Sequence, residues 1–163
     1  MDRVGVIGLG KMGLPIARNL MVRGLHVTGY RRSGSPELLR EGGEVAASAA
    51  EVAAEADVIL SIVPTADDVE EIIAGPAGTL VNLKPGTIHI EMSTIDVDRK
   101  ARLRDLVQAR GGDLLDCPIS GSPPATKLHA VSRSHPLEPS RQTAYSLRYQ
   151  ATAARRQRWT EWA

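Results

Sequence analysis

The chain contains no phenylalanine, and aromatic residues make up only 3% of its 163 residues. Its core must therefore be aliphatic, and a hydrophobic content of 42% is enough for one folded domain. A single cysteine, Cys117, excludes an internal disulfide and fits a reducing compartment, so we expect a cytoplasmic protein. No apolar run approaches the roughly 20 residues of a membrane span, and the start lacks a signal-peptide pattern. We therefore expect no membrane partner.

Charge divides the chain near Lys127. Residues 1–126 contain 13 Lys and Arg against 17 Asp and Glu, whereas residues 127–163 contain seven against two. The basic segment shows no clear periodicity, and it has little apolar surface to offset the entropy of ordering. A nucleic-acid-binding arm is one interpretation, but we favour a poorly ordered appendage and expect no nucleic-acid partner. We predict a folded domain over residues 1–125 and an atypical basic tail over residues 126–163.

A glycine-rich turn follows the first apolar segment. Val4 to Gly8 predicts a strand, Met12 to Arg23 predicts a helix, and G-x-G-x-x-G lies between them at residues 8–13. In such a motif the first glycine permits the tight turn, the second admits a pyrophosphate, and the third allows close helix packing. The helix N-terminus adds N–H donors and partial positive charge. This context predicts a dinucleotide site; an ordinary tight turn is the alternative.

Strand-like segments alternate with helix-like segments along the rest of the predicted domain. This alternation predicts an α/β fold with a doubly wound, mainly parallel sheet. A ligand is then expected at the carboxyl ends of the strands. Further strands are predicted at residues 25–30, 57–63, 87–91 and from 114, and further helices at 36–41, 48–55, 67–74 and from Thr94 or Asp96 to about 110.

The end of the second predicted strand carries the residues expected to select the cofactor. An acidic residue there binds the ribose 2′-OH of NAD, whereas a basic residue accommodates the 2′-phosphate of NADP. This chain has Tyr30-Arg31-Arg32-Ser33 there, and no acidic residue follows until Glu37. A planar guanidinium suits a phosphate because it donates several charge-assisted hydrogen bonds. We therefore expect NADP rather than NAD; a pair of solvated surface arginines is the alternative.

Five motifs in residues 2–125 together resemble the β-hydroxyacid dehydrogenase family. That family includes 3-hydroxyisobutyrate dehydrogenase, and 6-phosphogluconate dehydrogenases and imine reductases are its relatives. The resemblance implies a Rossmann-type domain and hydride transfer between NADP(H) and a small 3-hydroxy acid or semialdehyde. The motifs are GLGKMGLPIARNL at 8–20, YRRS at 30–33, IVPT at 62–65, EMSTID at 91–96 and LDCPISG at 115–121.

The resemblance also implies site residues. A family Ser-Gly-Gly motif that anchors the substrate carboxylate matches Ser120, Gly121 and Ser122, where serine replaces the second glycine. Ser93 and Thr94 would lie near the nicotinamide end of the cofactor. The implied cofactor-binding residues are Gly8, Leu9, Gly10, Lys11, Met12, Gly13, Tyr30, Arg31, Arg32, Ser33, Val63, Pro64, Asp68, Ser93 and Thr94.

The family's catalytic lysine has no counterpart in this chain. It acts as a general acid/base well downstream of Ser-Gly-Gly, but the only lysine after Ser120 is Lys127. The family's all-helical second domain and its dimer surface are also missing. We therefore expect a truncated or frameshifted dehydrogenase without turnover. An NADP-binding module, or a 6-phosphogluconate dehydrogenase or imine reductase-like relative, is the alternative.

The histidines and the cysteine have no metal-site spacing, so we expect no metal.

Overall fold

The computed structural model describes residues 2–119, which form a sheet of six strands with helices on both of its faces. The strands are β1 (Arg3–Ile7), β2 (His26–Tyr30), β3 (Glu44–Val45), β4 (Val58–Ser61), β5 (Ile88–Glu91) and β6 (Asp113–Asp116). The helices are α1 (Gly13–Val22), α2 (Pro36–Arg40), α3 (Ala49–Glu55), α4 (Ala66–Ala74), α5 (Val97–Ala109) and a short 3₁₀ helix, Thr79–Val81.

All neighbouring strands pair in parallel, in the order β3-β2-β1-β4-β5-β6. The chain moves outward from β1 to β3, returns to the other side of β1 with β4, and moves outward again. This reversal creates a switch point between β1 and β4, where parallel sheets bind ligands beyond the carboxyl ends of their strands. The predicted Rossmann-type doubly wound fold is confirmed.

Two aliphatic clusters cover the two faces of the sheet. One joins Ile7 and Ile59 to α3, α4 and α5, and the other joins Val6 and Val27 to α1 and α2. Because successive side chains of a strand point to opposite faces, Val6 and Ile7 contribute to different clusters. Both faces are therefore buried without phenylalanine, as the composition requires. No helix among residues 2–119 is long and apolar enough to cross a membrane.

Side-chain caps define the starts of three helices. Ser48 accepts a hydrogen bond from the Glu51 amide at 3.1 Å, and the Glu51 carboxylate accepts one from Ala47 N at 2.8 Å. Thr65 caps α4, and Asp96 rather than Thr94 caps α5 through Arg99 N at 2.8 Å. Each cap satisfies an amide that the first turn leaves without a helical partner. The observed starts of these three helices agree with the predicted ones to within one or two residues.

Two short elements were not predicted. Strand β3 has only Glu44 and Val45, both exposed, and the 3₁₀ helix spans three residues. An edge strand of this length shows no alternation of apolar and polar residues, so its sequence has no strand pattern. It forms because the outer edge of β2 has backbone groups available for hydrogen bonding. Ala46 N, for example, donates to Gly29 O at 2.9 Å.

A buried polar network links β4 and β5. His89 Nε2 lies 2.8 Å from Ser61 Oγ, and the Ser61 hydroxyl donates to the Glu91 carboxylate. The other Glu91 oxygen accepts from Ser93 N at 2.5 Å. Since the Ser61 proton goes to Glu91, Ser61 Oγ accepts from a protonated His89 Nε2, and the neutral ring keeps a lone pair on Nδ1. Among residues 2–119, Nδ1 has no hydrogen-bond partner.

We expect Gly5→Ala to lower the free energy of unfolding by about 1–3 kcal/mol, the usual cost of overpacking. A Cβ at Gly5 would lie 2.3 Å from Val52 Cγ1, where β1 packs against α3. In a Val52→Ala background the same change should cost less, because Cγ1 is gone. Urea unfolding of the four proteins measures the coupling. Gly10→Ala, with nothing within 4 Å of its Cβ, is the matched control. An equal cost in both backgrounds would contradict the predicted contact.

We expect stability to depend on pH through His89. Burial lowers the pKa of His89 to about 4, against about 6.5 in the unfolded chain. Well above pH 6.5, His89 is neutral in both states. As the pH falls towards 4, His89 of the unfolded state takes up the proton first, so stability is lost. At pH 5 the loss is about 2 kcal/mol relative to pH 7.

Urea unfolding at pH 7 and pH 5 tests this dependence. Carboxylates also titrate in this range, so the readout is the difference between wild type and His89→Gln, with the exposed His26→Gln as control. His89→Gln should show a smaller loss than wild type, whatever its stability at pH 7. The same loss in all three proteins would refute the assignment to His89.

Candidate cofactor-binding site

A cleft of about 530 Å³ lies beyond the carboxyl ends of β1, β2 and β4, at the switch point of the sheet. The glycine-rich turn, the end of β2, the residues after β4 and the first turns of α4 form its walls. Twelve of the residues implied by the family resemblance line the cleft: Gly8, Leu9, Gly10, Lys11, Met12, Gly13, Tyr30, Arg31, Arg32, Val63, Pro64 and Asp68. Ser33, Ser93 and Thr94 do not line it.

The glycine-rich turn packs backbone against backbone. Gly8 has a φ of +95°, and a Cβ there would lie 2.0 Å from Ile62 O. A Cβ at Gly13 would lie 2.0 Å from Gly8 O. At Gly10, by contrast, nothing lies within 4 Å of the Cβ position, so this side of the turn opens into the cleft. Two glycines thus bring the chain together, and the third leaves a cradle of the kind a pyrophosphate needs.

Helix α1 presents its N-terminus next to this cradle. Its first residue, Gly13, and its N-cap, Met12, both line the cleft. Met12 makes no side-chain capping bond, and no acidic residue occurs in the first turn. The N-terminal amides and the positive end of the helix dipole are thus not matched by a side chain of the helix, which suits an anionic ligand. The residues present therefore fit a dinucleotide.

The end of β2 brings basic residues to the cleft, and α4 brings acidic ones. Arg31 and Arg32 follow Tyr30, and the Nη2 group of Arg32 donates to Asp68 Oδ1 at 3.1 Å and to Glu71 Oε2 at 2.8 Å. Thr65 Oγ1 donates to the second Asp68 oxygen at 2.6 Å. The hydrogen bond from Thr65, more than the ion pair with Arg32, lowers the pKa of Asp68. An ion-paired bridge therefore joins β2 to α4 beside the cleft.

Ser93 does not line the cleft but holds the backbone of a residue that does, Val63. Its side chain is buried, and its Oγ accepts a hydrogen bond from Val63 N at 2.9 Å. The Ser93 carbonyl accepts from Lys100 Nζ at 2.8 Å, and the same ammonium donates to the Asp116 carboxylate. Ser93 therefore fixes the backbone after β4, whereas Thr94 is exposed and Ser33 lies in the exposed turn after β2. The substrate-anchoring prediction, Ser120, Gly121 and Ser122, lies outside the described residues, as does the predicted tail.

Sequence reasoning missed part of the cleft wall. Asp68 is among the predicted cofactor-binding residues but Glu71 is not, although Glu71 lines the cleft and accepts a hydrogen bond from Arg32. Ile72, Pro76, Ala77 and Ala49 also line it, without any motif to mark them. The spacing of Asp68 and Glu71, three residues apart on one helix face, was the available signal. Among residues 2–119, no group of three or more metal-binding side chains occurs.

Comparison with known proteins agrees with this geometry. A family model for the NAD binding domain of 6-phosphogluconate dehydrogenase matches residues 3–130. The cytokine-like nuclear factor N-PAC of Danio rerio is 34% identical over 122 residues, which are 74% of this chain and 26% of that protein. The mitochondrial 3-hydroxyisobutyrate dehydrogenase of Mus musculus is 38% identical over 122 residues, covering 72% of this chain and 36% of that protein.

A solved structure shows the same fold. The 3-hydroxyisobutyrate dehydrogenase of Salmonella typhimurium superposes with a TM-score of 0.71 and 30% identity, over 78% of this chain and 45% of that one. The chain thus spans less than half the length of each of these proteins. The family match includes the glycine-rich turn, the end of β2 and every other residue of the cleft. The chain therefore belongs to the family of the 6-phosphogluconate dehydrogenase NAD binding domain, with the N-terminal Rossmann-type fold of the β-hydroxyacid dehydrogenases.

Proposed function

We propose that the cleft binds NADP(H) in preference to NAD(H), as the cofactor half of a hydride-transfer enzyme of the 3-hydroxyisobutyrate dehydrogenase type. The observation that carries the cofactor preference is the end of β2, where Arg31 and Arg32 line the cleft in place of an acidic residue. The substrate class, a small 3-hydroxy acid or semialdehyde, is supported by the similarity to two 3-hydroxyisobutyrate dehydrogenases. We also infer a cytoplasmic location, on the single cysteine alone.

Each part of the cleft has a task in this proposal. The open side of Gly10 admits the pyrophosphate, and the N-terminal amides of α1 donate to it. Arg31, which makes no ion pair within residues 2–119, is available to the 2′-phosphate. The apolar side chains of Val63 and Pro64 exclude water from the wall after β4. A bound nicotinamide supplies the hydride chemistry, and the protein supplies orientation and charge.

A second candidate is a module that binds the cofactor without turnover, and the lysines favour it for this polypeptide. A general acid/base must come within hydrogen-bond distance of the reacting oxygen. Residues 2–119 contain three lysines. Lys100 donates to Ser93 O and Asp116, and Lys84 donates to Glu55 O. Lys11 lies within the glycine-rich turn, at the proposed pyrophosphate end of the cleft. We therefore assign the role of general acid/base to none of these three lysines.

We expect purified protein to bind NADPH more tightly than NADH, and Arg31→Ala to remove most of that difference. An arginine–phosphate contact contributes about 1.5–3 kcal/mol, so the NADPH dissociation constant should rise by about 10- to 100-fold while that for NADH changes little. Ligand fluorescence gives both constants, and thermal shift gives an independent check.

The matched control for this experiment is Arg40→Ala, an exposed arginine on α2 outside the cleft. It should leave both dissociation constants unchanged. Equal affinity of the wild type for NADPH and NADH would overturn the proposed recognition of the 2′-phosphate by Arg31. An equal loss of affinity for both cofactors in Arg31→Ala would do the same.

We expect no turnover from this polypeptide, because no described lysine can serve the substrate. Incubation with NADP⁺ and 3-hydroxyisobutyrate, or with NADPH and a semialdehyde, should change the absorbance of the cofactor no faster than in a protein-free control. The fluorescence titration shows in the same sample that the cofactor is bound. Steady oxidation well above that control would favour the enzyme over the binding module.

A further inference from the structure

Arg32 is held by two carboxylates of a different element. Its Nη2 group donates to Asp68 Oδ1 at 3.1 Å and to Glu71 Oε2 at 2.8 Å, and all three residues line the cleft. Arg32 follows β2, whereas Asp68 and Glu71 lie one turn apart on α4. The bridge thus crosses from one wall of the cleft to the other at the place where the adenosine ribose of a dinucleotide is expected.

The atom that makes the bridge is the one a phosphate needs. A guanidinium binds two oxygens of a phosphate through one of two edges, Nε with Nη2 or Nη1 with Nη2. Both edges include Nη2, and this nitrogen already donates to two carboxylates. Bidentate binding of a phosphate by Arg32 therefore requires that at least one carboxylate release this nitrogen.

The charges at this end of the cleft also balance. Arg31, Arg32, Asp68 and Glu71 all line the cleft, and Arg32 is paired with both carboxylates, so the four side chains carry no net charge before a ligand arrives. A phosphate monoester brings about −1.5 to −2 charges at pH 7. It must therefore compete with the carboxylates for Arg32 and is also repelled by them, whereas the ribose 2′-OH of NAD carries no charge and is not repelled.

The two carboxylates are held differently. Asp68 accepts from the Thr65 hydroxyl at 2.6 Å, and Thr65 Oγ1 also caps Asp68 N at 3.1 Å, so Asp68 is fixed at the start of α4. Glu71 has no other side-chain hydrogen bond among residues 2–119, and its side chain is 61% exposed. An exposed pair of this kind is weak enough for a ligand to break, which makes Glu71 the adjustable member.

We propose that Glu71 is a specificity-determining residue. Together with Asp68 it competes with the 2′-phosphate for Arg32, and this competition lowers the affinity for NADP(H) relative to that for NAD(H). This inference rests on the proposed function, in which the arginines after β2 bind that phosphate. It assigns α4 a part in cofactor selection, although the selecting residues of a dinucleotide fold are expected at the end of β2.

Titration of wild type, Glu71→Gln and Glu70→Gln with NADPH and NADH tests the proposal. Glu71→Gln keeps the size of the side chain and removes its charge, so NADPH should bind about two- to fivefold more tightly, the range expected for release of an exposed ion pair. NADH should bind as before. Glu70→Gln removes the same charge from the neighbouring position, where Glu70 lies 3.7 Å from Arg99 and Arg102 instead, and should change neither constant.

Four outcomes of this titration would overturn the proposal. They are unchanged NADPH binding in Glu71→Gln, an equal change for both cofactors, the same gain in Glu70→Gln, and weaker NADPH binding in Glu71→Gln, as expected if Glu71 only orients Arg32 for the phosphate. Arg32→Ala separates this failure from failure of the proposed function. If Arg32→Ala weakens NADPH but Glu71→Gln does not strengthen it, the proposed function stands and the competition is refuted. If neither Arg31→Ala nor Arg32→Ala affects NADPH, both are refuted.

Discussion

The contact between the glycine-rich turn and the end of β4 is the constraint on which the site depends. Gly8 meets Ile62 O, and Gly13 meets Gly8 O, at distances that admit no Cβ. Because both partners are backbone carbonyls, a larger residue could not be accommodated by a change of rotamer. The turn must therefore lie directly against the neighbouring strand, and this position directs α1 and its N-terminus towards the cleft.

Fixation of the end of β4 extends this constraint across the sheet. Val63 N donates to Ser93 Oγ, Ser93 N donates to Glu91, and Glu91 accepts from Ser61 in β4. The two strand ends are thus tied together by side chains where the sheet hydrogen bonds stop. The floor of the cleft consists of backbone and buried side chains, whereas the wall between Arg32 and α4 consists of exposed ion pairs. In the proposed function, this difference gives a fixed pyrophosphate end and an adjustable adenosine end.

The sequence was sufficient for the fold because its signals are local. The apolar run 58–60, the capping residues Ser48 and Thr65, and the G-x-G-x-x-G turn each depend on the residues next to them in the chain. The alternation of strands and helices then leaves few topologies, since crossovers between parallel strands are right-handed. Strand β3 was not predicted because its two exposed residues form a strand only by pairing with the edge of β2. The position of that edge is a tertiary feature.

The site was less accessible to the sequence, because its electrostatics come from residues far apart in the chain. Arg32 and Glu71 are separated by 39 positions, and although the motif after β2 marks Arg32, no motif marks Glu71 as its partner. Likewise, the hydrogen bond between His89 and Ser61 depends on the register of β4 and β5, which pairs Ser61 with Glu91 and so brings His89 close to Ser61. A motif identifies which ligand class a fold can hold, since backbone geometry is encoded locally. The strength and selectivity of binding depend on partners that only the tertiary structure brings together.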